Sequence, residues 1–179
     1  VIQLRDKQAT SKKLYEESLL LRQLTRETGV PFIVNDRLDI ALASEADGVH
    51  LGQDDLPIPA ARKVLGSDKI LGCSAGTLEE AIQGEREGAD YIGVGPVFEA
   101  RDTKPDAGQP RGLHLIDQIK AVCHIPVVAI GGINHANAQA VLNAGADCLA
   151  VISAVVTAED IRQATLDLKT IITSGARTE

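Results

Sequence analysis

Four short apolar runs in this chain end in residues able to hold a diphosphate and a divalent cation. They are Val1-Ile-Gln-Leu-Arg-Asp-Lys7, Pro31-Phe-Ile-Val-Asn-Asp36, Gly48-Val-His-Leu-Gly-Gln-Asp-Asp55 and Tyr91-Ile-Gly-Val-Gly-Pro96, the last followed by Asp102-Thr-Lys104. Gln3, Arg5 and Lys7 alternate and so point to one side of a strand. Asp36 and Asp55, at the ends of consecutive strands, can share an ion. Two carboxylates completed by phosphate oxygens and water is a ligation that Mg²⁺ accepts. Taken singly, Asp36 and the Asp54–Asp55 pair read as caps for helices starting near Leu38 and after Pro57; placed together beside Arg5 and Lys7, the metal reading leads. Lys7 and Lys104 are the point charges for a diphosphate, with Ser74 and Asn35 donating hydrogen bonds. Lys104 lies in a long polar loop, Glu99 to Arg111, of a length typical of lids and binding segments. Arg101 in that loop is a substrate contact or a solvated charge, and Arg111 reads as solvated.

A second cluster lies at Ile130-Gly-Gly-Ile133 and Val151-Ile-Ser153. Glycine permits a phosphate to approach backbone N–H groups closely, so Gly131–Gly132 and Ile152–Ser153 suit a monophosphate. A plain strand-to-helix turn would need only one glycine. Two sites of this kind imply two phosphorylated substrates joined in one pocket. No Ser-His-Asp or Cys-His arrangement is evident, which disfavours nucleophilic catalysis. His50 lies mid-strand without a nearby partner and reads as a core residue or one behind the site. His114, His124 and His135 fall on helices or helix starts and read as surface residues.

These residues need a scaffold that brings successive strand ends together. Strand-like runs cover about residues 1–5, 31–35, 48–52, 70–74, 91–95, 126–130 and 148–152, each short and nearly continuously apolar. Helix-period segments cover 11–28, 38–45, 57–65, 77–87, 112–123, 135–144 and 158–173. Thr77 and Glu80 form a Thr-x-x-Glu capping box. Gly29, Gly66, Gly88 and Gly145 sit where helices stop, and Pro31 and Pro126 open the following strands. The junctions Ala46-Asp-Gly-Val-His-Leu-Gly52, Ala89-Asp-Tyr-Ile-Gly-Val-Gly95 and Ala146-Asp-Cys-Leu-Ala-Val-Ile152 repeat one helix–Ala-Asp–strand pattern. Strict β–α alternation requires parallel strands. Seven βα units beginning on a strand predict an α/β fold, a (β/α)₈ TIM barrel with its first βα unit missing, as one domain over residues 1–179. An open doubly wound sheet ranks behind, because no Gly-x-Gly-x-x-Gly opens a helix. The chain contains no Met and starts inside a strand-like run, so residues preceding Val1 are expected.

Bulk properties narrow the partners. The 179 residues are 44% hydrophobic and 24% charged, ordinary for a soluble domain with a full core. Aromatics make up only 2%, so Val, Ile, Leu and Ala must build the core and base stacking is disfavoured. A net charge of −7 argues against nucleic acid as a partner. No run reaches the roughly 20 apolar residues of a membrane span. Cys73, Cys123 and Cys148 are scattered singly and read as buried reduced thiols of a cytoplasmic protein. Homo-oligomerisation is left open.

The motifs Gln3-Leu-Arg-Asp-Lys7, Phe32-Ile-Val-Asn-Asp36, Gly48-Val-His-Leu-Gly-Gln-Asp-Asp55, Gly93-Val-Gly-Pro-Val-Phe98 with Thr103-Lys-Pro105, and Val128-Ala-Ile-Gly-Gly-Ile133 together resemble the thiamine-phosphate synthase family. The resemblance runs from Val1 to about residue 156. It implies a (β/α)₈ barrel transferase that couples a hydroxymethylpyrimidine diphosphate to a hydroxyethylthiazole phosphate, releasing pyrophosphate with Mg²⁺. Carried over residue by residue, it puts the pyrimidine diphosphate on Gln3, Leu4, Arg5, Asp6, Lys7, Asn35, Ser74 and Lys104. Among these, Lys7, Ser74 and Lys104 would act on the leaving group. It puts Mg²⁺ on Asp36 and Asp55, and the thiazole phosphate on Arg101, Asp102, Thr103, Gly132, Ile152 and Ser153. The chain departs from the family pattern in three ways. Gly76 follows Ser74-Ala75 where the family usually has His, the loop from Phe98 to Lys104 is one residue longer, and the first βα unit is missing. Two further readings are a non-catalytic barrel that senses thiamine phosphate and a thiazole tautomerase. The tautomerase is disfavoured because the diphosphate set is present and the corresponding strand end reads Gly95-Pro96-Val97. A sugar-phosphate isomerase lacks a convincing general base here.

Overall fold

In the computed structural model the described residues are 1–100 and 108–175. They divide into two compact units, residues 1–74 with 86–90 and residues 75–85 with 91–175. Among them, each strand is followed by a helix and the paired strands run parallel, the order of the (β/α)-barrel class.

The first unit begins with β1 (Ile2–Leu4), α1 (Ser11–Thr28), β2 (Phe32–Asn35), α2 (Leu38–Ala43), β3 (Gly48–Leu51) and α3 (Ile58–Leu65). The strand β4 (Ile70–Ala75) follows. Strands pair in chain order, with Leu4 opposite Val34, Asn35 opposite His50 and Leu51 opposite Cys73. Phe32, Ile33, Val34, Val49, Leu51 and Leu71 are fully or almost fully buried, which explains runs without polar alternation. α1 is capped by Thr10, whose Oγ1 accepts from Lys13 N (3.3 Å). It stops at Gly29, whose φ of 66° a side chain would resist.

The second unit carries α4 (Leu78–Arg86), up to residue 85, then β5 (Tyr91–Val94), α5 (His114–Lys120) and β6 (Val127–Ile130). It ends with α6 (Ala138–Asn143), β7 (Cys148–Ala150), α7 (Ser153–Val156) and α8 (Ile161–Gly175). Val94 pairs with Ala129 and Ile130 with Ala150. The expected helix over 158–173 is α8, and the four-residue α7 before it was not anticipated. The expected capping box is half formed. Glu80 N donates to Thr77 Oγ1 (3.2 Å), but the Glu80 carboxylate accepts from Gly76 N (2.6 Å) rather than from Thr77.

The three Ala-Asp junctions share one device. Asp47, Asp90 and Asp147 each accept from the backbone N–H of an earlier strand residue, Phe32, Leu71 and Val127, at 2.7 Å. The N–H of each Asp returns a bond to that same residue's carbonyl. Each carboxylate also pairs with a base on the helix that precedes the clamped strand: Arg22 of α1 and Arg62 of α3 at 2.7 Å and Lys120 of α5 at 2.8 Å. The sequence repeat is thus a repeated clamp between helix and strand start.

Candidate active site

The first unit gathers most of the expected diphosphate and cation residues at its strand ends. β1 stops at Leu4, so strand alternation orients Gln3 but does not extend to Lys7 as expected from sequence. Lys7 is instead presented by a turn in which Asp6 Oδ1 accepts from Gln8 N (2.9 Å) and Ala9 N (3.0 Å). Such Asx turns fix a short loop with one side chain. Lys7 Nζ lies 3.4 Å from Asp36 Oδ2. A cavity of about 230 Å³ opens there, lined by Asp6, Lys7, Asn35, Asp36 and Arg37 among others.

Asp36 has a φ of 62°, unusual for a residue with a side chain. Arg37 N bonds Asn35 O (2.7 Å) across it, a three-residue γ-turn, while Asp36 N donates to His50 O (2.8 Å) on β3. Backbone strain of this kind, held by a neighbouring strand, is characteristic of positions where side-chain aim matters. The helix-cap alternative fails. Arg37 and Pro57 stand at the N-caps of α2 and α3, and neither helix has a side-chain cap.

Asp55 is held by Gly52 N, which donates to its Oδ2 (2.6 Å). Burial raises the Asp55 carboxyl above the ordinary aspartate range, opposed by the Gly52 N–H; the facing Asp36 carboxyl raises it further and Lys7 lowers it. Two carboxyl groups close enough to perturb each other, in a partly buried setting, form a donor set suited to a divalent cation. Among the described residues no group of three or more His, Cys, Asp or Glu side chains is arranged around a common point. A cation held here would therefore take its remaining ligands from substrate or water.

Ser74, near the end of β4, is more elaborately placed than the sequence suggested. His50 Nε2 lies 2.9 Å from its Oγ, and Gln53 Nε2 donates to its carbonyl (2.6 Å). The expectation that His50 lacks a partner is thus corrected. Opposite His50 in the ladder stands Gly72, and Ser74 lies two residues on along the same face. Arg37, also missed, lines the cavity. Its guanidinium is engaged by Asp39 (2.8 and 2.6 Å) and by Ser11 Oγ (3.0 Å). Asp39 is accordingly held below the usual carboxylate range, chiefly by the hydrogen bond from Arg37.

In the second unit, Gly132 and Ile152 each lie two residues past the ends of the neighbouring strands β6 and β7, whose last residues pair. Gly132 has a φ of 64°, and a Cβ there would come within 2.5 Å of Glu99 O and 2.8 Å of Phe98 Cβ. Val97 N and Phe98 N donate to Ile130 O (2.9 Å) and Gly131 O (3.0 Å), so this rim is built from closely apposed main chain. Ile152 and Ser153 open α7 and are exposed. Arg101, Asp102, Thr103 and Lys104 lie outside the described residues. Arg111 is exposed but not simply solvated. Its guanidinium overlies Gly76, with Nη2 3.1 Å from where a Cβ would stand, and its N–H bonds Pro96 O (2.8 Å).

The remaining expectations divide. His114 and His124 are exposed, whereas His135 Nε2 contacts Ala164 O (2.9 Å). Cys73 and Cys123 are buried, but Cys148 is exposed, and none of the three is in a disulfide. Among the described residues no helix is long and apolar enough to cross a membrane.

Parallel βα repetition with polar residues gathered past the strand ends places the chain in the (β/α)-barrel class of enzymes. The particular family follows from comparison: the thiamine monophosphate synthase family matches residues 1–155, and the chain belongs to it. Thiamine-phosphate synthases of Chloroflexus aurantiacus and Moorella thermoacetica are each 55% identical over 172 residues. The alignments cover 96% of this chain and 79% and 81% of theirs. A solved thiamine phosphate pyrophosphorylase from Pyrococcus furiosus superposes with a TM-score of 0.90 at 47% identity, covering 98% of this chain and 84% of that one. The family is one of transferases acting on small molecules, and thiamine-phosphate synthase is the function these relatives support.

Proposed function

We propose that the chain joins a hydroxymethylpyrimidine diphosphate to a hydroxyethylthiazole phosphate, forming thiamine phosphate and pyrophosphate, and that Asp36 and Asp55 hold Mg²⁺. The observation that carries this is Asp36 and Lys7 paired in the wall of one cavity, with the Asp55 carboxyl close enough to Asp36 for the two to perturb each other. Mg²⁺ bound there would neutralise charge on the departing pyrophosphate. Lys7 adds a fixed positive charge for the same oxygens, and Asn35, Ser74 and the Gln3–Asp6 segment would orient the diphosphate. Lys104 and Arg101 to Thr103 keep the roles that the family resemblance gives them. Cleavage of the pyrimidine's methylene C–O bond sends the electron pair to pyrophosphate, and the thiazole nitrogen captures the carbon. The nitrogen carries no proton, so no base is needed and no protein nucleophile takes part. Gly132, Ile152 and Ser153 would hold the thiazole phosphate. Three cysteines outside any disulfide suit a cytoplasmic setting.

Mixing both substrates with Mg²⁺ should release one pyrophosphate per thiamine phosphate formed. Asp36→Ala and Asp55→Ala should each lower turnover by about 10²-fold or more, the scale of a lost electrostatic stabiliser, and should abolish the Mg²⁺-dependent rise in Tm. Full activity in both variants would remove the metal assignment.

A further inference from the structure

We propose that His50 is a positioning residue that sets the direction of the Ser74 hydroxyl through its own Nε2–H. This rests on the reading above that Ser74 faces the diphosphate. A serine hydroxyl has one proton to give. If His50 Nε2 were the acceptor, that proton would be taken up by the imidazole 2.9 Å away, and Ser74 would turn lone pairs towards an anionic substrate. If Nε2 carries the proton, it donates to Oγ and the hydroxyl proton is left to donate to a diphosphate oxygen.

The surroundings favour a fixed pair rather than a casual contact. His50 is only 9% exposed, in a strand whose other members are all buried and apolar or glycine. Its carbonyl accepts from Asp36 N at 2.8 Å, so the backbone carrying the imidazole is tied to the turn that aims Asp36. Ser74 is tied in turn by the bond from Gln53 Nε2 to its carbonyl at 2.6 Å. With both backbones fixed, Ser74 has mainly its hydroxyl rotor left to set, and His50 sets it. A hydrogen bond aimed at a charged group gains most when the donor is already oriented.

The test is a double-variant cycle with His50→Leu and Ser74→Ala, read as kcat/KM for the pyrimidine diphosphate and, separately, for the thiazole phosphate. Each single variant should lower the first by about tenfold to a hundredfold and leave the second within a few-fold when the pyrimidine is saturating. The double variant should be no worse than the poorer single. His50→Gln, which keeps an N–H near the same point, should recover most of the loss. Losses that multiply in the double variant, or an unaffected His50→Leu enzyme, would overturn the proposal. Imidazole nitrogen NMR of the substrate-free protein at neutral pH decides independently, even if His50→Leu does not fold or synthase activity is absent. A protonated Nε2 supports the assignment, and a bare Nε2 ends it.

Discussion

At the scale of single residues, the backbone of Asp36 has as much to do with the site as its carboxylate. A φ of 62° disfavours any residue with a Cβ, and the strained conformation is held by the bond from Asp36 N to His50 O. Asp36→Gly and Asp36→Ala both delete the carboxylate, but only glycine relieves the strain. The glycine variant should be the more stable by roughly 1 kcal/mol in urea unfolding. Equal stabilities would mean that the turn is not strained as described. Gly76 presents the opposite case. Its missing side chain makes room for the end of a flexible arginine, so Gly76→Ala should change stability by less than about 1 kcal/mol as Arg111 shifts aside. The approach of Asp36 to Asp55 was legible in sequence because parallel βα repetition sets successive strand ends side by side. The His50–Ser74 contact was not. It joins residues 24 positions apart and depends on the ladder register that sets His50 opposite Gly72.

At the scale of elements, Asp55 at the end of β3 couples the site to pH. Its carboxyl holds its proton more readily in the fold than in the unfolded chain, chiefly through burial. The folded protein therefore binds more protons between the two pKa values. Stability falls as pH rises from the ordinary aspartate range through the raised folded pKa, and the loss is complete above it. Asp55→Asn should accordingly raise the metal-free Tm at pH 7 and make little difference near pH 3, while removing stabilisation by Mg²⁺. An equal Tm change at both pH values would contradict this. Strands and most helices lay within a few residues of expectation, since buried parallel strands leave continuous apolar runs and helices leave a 3.6-residue period. α7 was not legible because four residues are too few to show a period. The alternation argument for Lys7 failed for a related reason: β1 is only three residues long and ends first.

At the scale of the whole chain, the clamp formed by Asp47, Asp90 and Asp147 recurs three times, with Arg22, Arg62 and Lys120 as partners. Each Asp joins a strand-start N–H to a base on the helix preceding that strand, which explains why the Ala-Asp motif is repeated. Replacing any one with Ala leaves a backbone donor and a basic group without their acceptor, at a cost of about 1–3 kcal/mol. For a chain of this size that is a fall of roughly 2–4 °C in Tm per kcal/mol. Because the three share no partner, the triple variant should lose close to the sum of the singles in calorimetry. A much smaller combined loss would mean that the clamps do not act separately.

The glycine rim of the second unit carries a different consequence. Where Gly131 and Gly132 meet residues 96 to 99, main chain touches main chain and a methyl group has nowhere to go. Evolution can retune an ordinary surface by exchanging side chains, but positions 131 and 132 offer none to exchange. Under the proposed thiazole-phosphate role, adaptation to a new ligand must therefore come from flanking positions, with the glycine pair inherited as a fixed template.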